Sequence, residues 1–222
     1  MSLTRAQFES ACKAYIEKYS ARHEHGTDEA LLKRYPTGWS WIEHTSVAGL
    51  GYLSRKVSIL SRIQGFLGED QEGLEAENVD QLEEDSAEAS QSTEALTCHQ
   101  HVVYSPSFQV PALYFSVHQS SGAPLSLEEL TACSLLRLNT LPSTQATTYA
   151  LQGPDAAFTL LSQGDHPTLG TPCWYLHPCH TGEVIEEILA EVPCEGNARS
   201  LRWLEAWFMM LGNVVDFGDT RR

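Results

Sequence analysis

The sequence predicts an α+β fold in which an antiparallel β-meander packs against helices. Four β-rich runs follow one another along the chain, and segments with helical periodicity stand before and after them. At 222 residues the chain has the length of one ordinary domain, residues 1–222, with room for a long insertion. Apolar residues make up 42% and charged residues 19%, which excludes a largely disordered, collagen-like or coiled-coil chain.

The N-terminal elements are predicted to be one helix and then the strands of the meander. Apolar residues recur at helical spacing after Thr4, a candidate N-cap, and indicate a helix from Thr4 to His23 with Cys12 facing the core. Strands are predicted at Trp39–Ile42, Tyr52–Ile63, His101–Ser105 and Val110–Val117. Pro106 and Pro111 suit a strand edge or a bend, so we expect the last two strands to form an exposed edge that a partner's strand could extend.

A long acidic segment interrupts the meander. Glu69 to Glu94 contains eleven acidic residues and no basic residue, which accounts for most of the net charge of −15. Such a composition buries too little apolar area to offset the loss of chain entropy, so roughly Gly65 to Thr97, residues 65–97, is predicted to be a solvated, disordered loop. Its simplest role is a spacer between two strands, and the alternative is a docking strip for a basic partner.

The C-terminal half is predicted to contain three helices, one clear strand and much loop. Ser126 and Glu129 form a capping-box pattern, which opens a helix reaching about Arg137. Prolines and glycines interrupt residues 138–170, which are assigned mainly to loop with short regular pieces near 147–151 and 156–161. A strand at 173–176 then runs into a loop, a helix of about ten residues and a last helix at 198–211.

Charge and hydropathy exclude several classes of protein. Arg137 is the one basic residue between Ile63 and Ala198, so this stretch could hardly neutralise nucleic-acid phosphates or an anionic membrane. No run approaches the ~20 apolar residues of a membrane span, and Arg5 and Glu9 interrupt what would be a secretory signal. We therefore expect a cytoplasmic protein whose six cysteines are reduced.

The densest group of reactive side chains is Cys173, His177, Cys179 and His180. Thiolates and imidazoles are zinc ligands, but the spacing is not that of a zinc knuckle, and the only distant candidates are Cys98, His99 and His101. A second interpretation makes Cys179 a nucleophile, because it lies where a loop meets a helix N-terminus, which favours a thiolate. A papain-like order is excluded, since no histidine follows His180. A buried or spectator thiol is the third interpretation.

The sequence around Cys179 resembles the autophagy E2-like conjugating enzymes of the autophagy-related protein 10 family. The similar segments cover roughly His101 to Val215, and they are specific in combination because His-Pro-Cys alone is a weak motif. They are Tyr104-Ser-Pro-Ser-Phe-Gln-Val-Pro-Ala-Leu-Tyr-Phe115, Gly122-Ala-Pro-Leu125, His166-Pro-Thr-Leu-Gly170, Trp174-Tyr-Leu-His-Pro-Cys-His-Thr181, Trp203-Leu-Glu-Ala-Trp207 and Gly212-Asn-Val-Val215.

The resemblance implies a fold related to ubiquitin-conjugating enzymes and a function in autophagy. By this resemblance, Cys179 accepts the ubiquitin-like modifier autophagy-related protein 12 as a thioester from the activating enzyme, autophagy-related protein 7. The modifier then passes to a lysine of autophagy-related protein 5. The resemblance implies no cofactor and no metal. The alternatives are a zinc-binding protein and a non-catalytic module that keeps the fold and binds partners through its acidic loop and strand edge.

The resemblance also indicates that one catalytic group is missing from its usual place. Ordinary ubiquitin-conjugating enzymes polarise the thioester with the Asn of a His-Pro-Asn segment, whereas here His177-Pro178 leads straight into Cys179. Tyr104, Gln163 and His166 are the candidates for this support, since all three lie in segments that resemble the family near its active site, and Thr181 is a further candidate donor. Each could instead have a core or plain loop role. His177 is expected to brace the loop, with base catalysis as its other possible role.

Overall fold

The computed structural model describes residues 2–20, 35–47, 49–61, 95–137, 145–152, 159–179, 181–190 and 196–218. These residues form four helices and eight strands. The helices are α1 (Arg5–Ser20), α2 (Leu127–Ala132), α3 (Thr181–Ala190) and α4 (Gly196–Leu211). The strands are β1 (Ser40–Ile42), β2 (Tyr52–Leu60), β3 (Ala95–Ser105), β4 (Val110–His118), β5 (Gln145–Ala146), β6 (Ala150–Gln152), β7 (Leu161–Asp165) and β8 (Pro172–Leu176).

The strands form one antiparallel sheet in the order β1-β2-β3-β4-β8-β7-β6-β5. The first four are the predicted meander, and the last four return beside β4 in reverse order. Strand β8 joins β4 through two residue pairs, Tyr114 with Tyr175 and Phe115 with Trp174. The loop that carries Cys179 therefore leaves a strand in the middle of the sheet.

Helices α1 and α4 cover one face of the sheet and build the core with it. The side chains of Phe8 and Tyr15 from α1, and of Trp207 and Phe208 from α4, are at most 1% exposed. Burying an aromatic side chain of this kind contributes about 1.5–3 kcal/mol relative to leaving it in water. Cys12 is fully buried in this layer, which confirms its predicted orientation.

Both N-caps that the sequence predicted, Thr4 and Ser126, are present. At α1, the Thr4 hydroxyl accepts the Gln7 N–H at 3.2 Å, and the Gln7 side chain accepts the Thr4 N–H at 2.8 Å. At α2, Ser126 and Glu129 form the complete capping box. The predicted end of the first helix at His23 lies outside the described residues.

Three predicted boundaries differ from the structure. Strand β3 begins at Ala95, so the last residues of the predicted loop, Ala95 to Thr97, belong to the sheet, and residues 65–94 lie outside the described part of the chain. Helix α2 ends at Ala132 and not near Arg137, because Cys133 turns to an extended backbone and bridges to Ser61. Residues 138–170 contain strands β5, β6 and β7, whose short alternations were hidden among prolines and glycines.

The prediction of an exposed edge at the third and fourth strands is wrong. Strand β3 lies between β2 and β4, and Val102 pairs with Leu53 on one side and Leu113 on the other. Pro111 is compatible with β4 because β8 pairs with that strand only at Tyr114 and Phe115. Within the described residues, the sheet edges are β1 and β5. No helix among those residues is both long and apolar enough to cross a membrane.

Candidate active site

Cys179 lies in a short loop between strand β8 and helix α3. The chain leaves β8 at Leu176, passes through His177 and Pro178, and begins α3 at Thr181. The Thr181 N–H donates to the Pro178 carbonyl at 3.3 Å, which turns the backbone into the helix. Cys179 is free and half-buried, and it lies two residues before the N-terminus of this helix.

His177 holds the backbone of this loop. Its Nδ1 accepts the Cys179 N–H at 3.3 Å, and its own N–H donates to the Leu160 carbonyl at 3.0 Å. Phe108, in the turn between β3 and β4, packs edge-on against the imidazole with the ring centroids 5.3 Å apart. A bracing role for His177 requires contacts of this kind. The Nδ1 atom is hydrogen-bonded to the Cys179 amide and not to its thiol.

The other described cysteines are buried. Cys12, Cys98, Cys133 and Cys173 lie in the interior, whereas Cys179 does not. Burial raises the pKa of Cys98 to about 12 and that of Cys173 to about 11, which keeps both thiols protonated at neutral pH. Cys194 lies outside the described residues. Among the described cysteines, Cys179 is therefore the one placed for nucleophilic chemistry.

Tyr104 lies on the helix-covered face of the sheet. Its hydroxyl donates to the Leu3 carbonyl at 2.7 Å, its ring packs on Phe8, and the Arg5 guanidinium lies 5.0 Å from the ring centre. The hydroxyl thus anchors the segment that precedes α1. This geometry gives Tyr104 a structural role.

Gln163 lies on β7 opposite Trp174, the middle residue of β8. Its backbone N–H donates to the Tyr149 carbonyl at 3.0 Å. The exposed side chain lines a cleft of about 620 Å³ between β8 and the start of α2. Cys179 follows Trp174 by five residues, a separation of roughly 15 Å in an extended chain.

His166 directly follows β7 and is buried with a 2% exposed side chain. Its Nδ1 accepts the N–H groups of Thr168 and Leu169 at 3.2 and 3.1 Å. Burial lowers the pKa of His166 to about 4, so the imidazole is neutral at physiological pH. The Nδ1 atom is thus used within the turn between β7 and β8.

Of the residues predicted to form the site, the structure joins His177 to Cys179 by a hydrogen bond and places Thr181 at the start of the adjacent helix. It gives Tyr104, Gln163 and His166 other surroundings. The residue that the sequence reasoning missed is Phe108. The sequence carried one signal for Phe108, since it is an aromatic residue in a predicted turn with proline and serine, within a segment that already resembled the family. In the structure Phe108 is exposed.

The zinc alternative concerns the thiols and imidazoles near Cys179. In the described part of the chain, no three His, Cys, Asp or Glu side chains converge as metal ligands. The Cys173 thiol instead donates to the Gly164 carbonyl at 3.4 Å, and Cys98 is fully buried. His180 lies outside the described residues.

Comparison with known proteins identifies the family of this chain. A family model described as "Autophagocytosis associated protein, active-site domain" matches residues 7–220. The chain belongs to this family. With the mixed antiparallel sheet and helices, this match confirms the predicted α+β fold of the ubiquitin-conjugating type, and together with the curated relatives it confirms the resemblance to the autophagy-related protein 10 family.

Three curated relatives carry the name "Ubiquitin-like-conjugating enzyme ATG10". The Arabidopsis thaliana protein is 28% identical over 229 residues, which cover 96% of this chain and 91% of the relative. The human protein is 31% identical over 132 residues, or 58% of this chain and 52% of the relative. The Dictyostelium discoideum protein is 30% identical over 52% of this chain and 48% of the relative. The match thus spans about half the length of the human and Dictyostelium relatives.

Proposed function

We propose that this chain is an E2-like conjugating enzyme that carries a ubiquitin-like modifier as a thioester on Cys179 and transfers it to a lysine. In its specific form, the modifier is autophagy-related protein 12, which is delivered by autophagy-related protein 7 and transferred to autophagy-related protein 5 in the cytoplasm. Family membership supports the class of reaction, and the resemblance of the residues around Cys179 supports the specific form.

One structural observation carries this proposal. Cys179 is the half-exposed cysteine among those described, it precedes the N-terminus of a ten-residue helix, and the His177 imidazole fixes its amide. A nucleophile that must meet two macromolecular partners needs an accessible sulfur on a fixed backbone. The buried thiols of the core do not meet the first requirement.

Loading is a transthiolation. The Cys179 thiolate attacks the carbonyl carbon of the modifier's C-terminal glycine, which arrives as a thioester on the activating enzyme. A new C–S bond forms through a tetrahedral oxyanion, and the activating enzyme's cysteine leaves as a thiolate. No net oxidation or reduction occurs.

Transfer replaces this thioester with an amide. The neutral amine of the target lysine attacks the same carbonyl carbon, the C–N bond forms, and Cys179 leaves as a thiolate while the amine releases a proton. The oxyanion needs a positioned donor, and the first turn of α3, which begins two residues after Cys179, has backbone N–H groups from Gly182 onward that can serve as donors. In this proposal those amides take the place of the absent asparagine.

A loading assay tests the proposal. Wild type, Cys179→Ser and Cys179→Ala are incubated with activating enzyme, ATP and modifier, then separated on gels with and without reductant. We expect a reductant-sensitive adduct for wild type, a reductant-resistant oxyester for the serine variant and no adduct for the alanine variant. Cys173→Ala, which removes a buried thiol just before the same loop, is the matched control and should load like wild type.

The outcomes separate the proposal from its alternatives. An adduct that persists in Cys179→Ala would move the nucleophile elsewhere, with Cys194 the first residue to examine. A wild-type protein that binds the partners without forming an adduct would be the non-catalytic module. Loading by ubiquitin and its activating enzyme in place of autophagy-related proteins 12 and 7 would refute the specific form and leave the chemistry intact.

A further inference from the structure

The sheet consists of two halves that share little backbone pairing. Strands β3 and β4 pair along their whole length, from Thr97 opposite His118 to Ser105 opposite Val110. Strands β4 and β8, by contrast, pair only at two positions among the described residues, Tyr114 and Phe115 of β4. The hairpin of β7 and β8, which leads to Cys179, therefore needs other contacts to keep its position on the meander.

The His166 imidazole supplies such contacts from the tip of this hairpin. Its ring centroid lies 5.1 Å from that of Tyr52 on β2, 4.9 Å from that of His101 on β3 and 5.5 Å from that of Tyr114 on β4. We call Tyr52, His101, Tyr114 and His166 the outer ring cluster, since it covers the sheet face opposite α1. Aromatic contacts at these distances each stabilise a structure beyond their area burial.

The polar atoms of His166 order the tip itself. The backbone N–H donates to the Thr171 carbonyl and the backbone carbonyl accepts the Gly170 N–H, both at 2.8 Å. Because Nδ1 accepts two further amides, the proton resides on Nε2, which is buried and has no hydrogen-bond partner among the described residues. The imidazole also contacts the rings of the meander, so one side chain both closes the turn and packs on the meander.

A row of ring contacts continues from the outer ring cluster to the nucleophile. Tyr114 stacks on Tyr175 of β8 with the centroids 5.4 Å apart, and Tyr175 lies 6.4 Å from His177. His177 in turn accepts the Cys179 amide. The position of the hairpin on the meander and the position of the Cys179 loop are thus physically connected.

We infer that His166 is a positioning residue for the thioester chemistry, because its ring fastens the hairpin that carries Cys179 to the outer face of the meander. This inference rests on the proposed function for its consequence on transfer. A hairpin released from the cluster would let Cys179 move relative to its partners, and a misplacement of about 1 Å can slow a reaction by up to ~100-fold.

Three substitutions separate the two tasks of His166. His166→Asn keeps a side-chain acceptor for the turn amides and removes the ring, His166→Phe keeps a ring and removes the acceptor, and His166→Ala removes both. In single-turnover transfer from preloaded Cys179, we expect about tenfold lower maximal rates for the Asn and Ala variants, with the half-saturating target concentration unchanged. The Phe variant should stay within about threefold of wild type. His99→Ala, another histidine of β3 that contacts His118 and not the hairpin, is the matched control.

Equal rates for His166→Asn and wild type would overturn the inference, and so would a Phe variant as slow as the Asn variant. A rise in the half-saturating concentration alone would also overturn it, because that result indicates a docking residue. If the Asn variant fails to fold, Tyr52→Leu tests the same contact from strand β2: it should slow transfer in the wild-type background. A transfer rate unchanged by Tyr52→Leu would then refute the inference.

A measurement without partners distinguishes this inference from the proposed function. Amide exchange of β7 and β8, and alkylation of Cys179 by iodoacetamide followed by mass spectrometry, report the hairpin directly. We expect about tenfold faster exchange of the hairpin amides in His166→Asn than in wild type. Unchanged exchange would refute the positioning role of His166. A wild-type protein that never loads would refute the proposed function, while the exchange comparison still decides the role of His166.

Discussion

The hydroxyl of Tyr104 allows a direct test between structure and catalysis. Tyr104→Phe removes one oxygen and keeps the ring that packs on Phe8 and faces Arg5. The lost hydrogen bond to the Leu3 carbonyl is buried at both ends, since Tyr104 is 7% and Leu3 5% exposed. We therefore expect a stability loss, with loading and transfer on Cys179 unchanged.

The size of the stability loss in Tyr104→Phe follows from the free energy of a buried hydrogen bond. A typical bond contributes about 1 kcal/mol net, and a buried carbonyl left without a donor costs roughly 1–3 kcal/mol, so we expect about 1.5 kcal/mol. At 222 residues this loss corresponds to a melting temperature lower by about 3–6 °C. Differential scanning calorimetry measures the shift. Tyr149→Phe, whose residue is 65% exposed, is the control and should change the melting temperature by less than about 1 °C.

Transfer kinetics then decide the role of the hydroxyl. If Tyr104→Phe melts like wild type but transfers the modifier more than about tenfold slower, the hydroxyl polarises the thioester and our assignment of a structural role is wrong. A lower melting temperature with normal transfer supports the geometry described above.

Three further predictions follow from the sheet. Burial lowers the pKa of His101 and of His166 to about 4, whereas unfolded histidine titrates near 6.5, so stability should be full above about pH 6.5 and fall as the pH drops toward 4. Urea unfolding between pH 4 and 7.5 should show this decrease in the free energy of unfolding. A double variant, His101→Phe with His166→Phe, that shows the same pH dependence as wild type would contradict the prediction. Val102→Pro removes an amide from a central strand, which leaves a buried backbone group without its partner at a cost of roughly 1–3 kcal/mol, and we expect loading and transfer to fall together. Selective loss of transfer would restore the edge hypothesis. Replacing Asp70 to Glu94 with a short Gly/Ser linker should change the free energy of unfolding by about 1 kcal/mol or less. Leu60 and Ala95 pair at the base of this loop, and the entropy of loop closure varies only logarithmically with loop length. Cooperative loss of the fold in the shortened protein would show that the segment contains a structural element.

Local patterns predicted the parts of the site that depend on neighbours in sequence. His177 and Cys179 are two residues apart, and the hydrogen bond from the Cys179 N–H to the imidazole joins near neighbours in the sequence. The capping box at Ser126 formed for the same reason, because its partners are three residues apart. The position of Phe108 against His177 could not be read in this way, since it depends on how β4 meets β8.

The amino-acid sequence by itself predicted the order of the first four strands and of the helices, the inward orientation of Cys12, and the place of Cys179 in a loop before a helix. These features follow from hydrophobic periodicity and capping, which act within a few residues. Only the tertiary structure decided that β3 is central, that the Tyr104 hydroxyl is bound to Leu3, and that His166 packs across three strands. Those contacts join residues tens of positions apart, and the sheet register, set by packing over the whole core, decides which side chains meet.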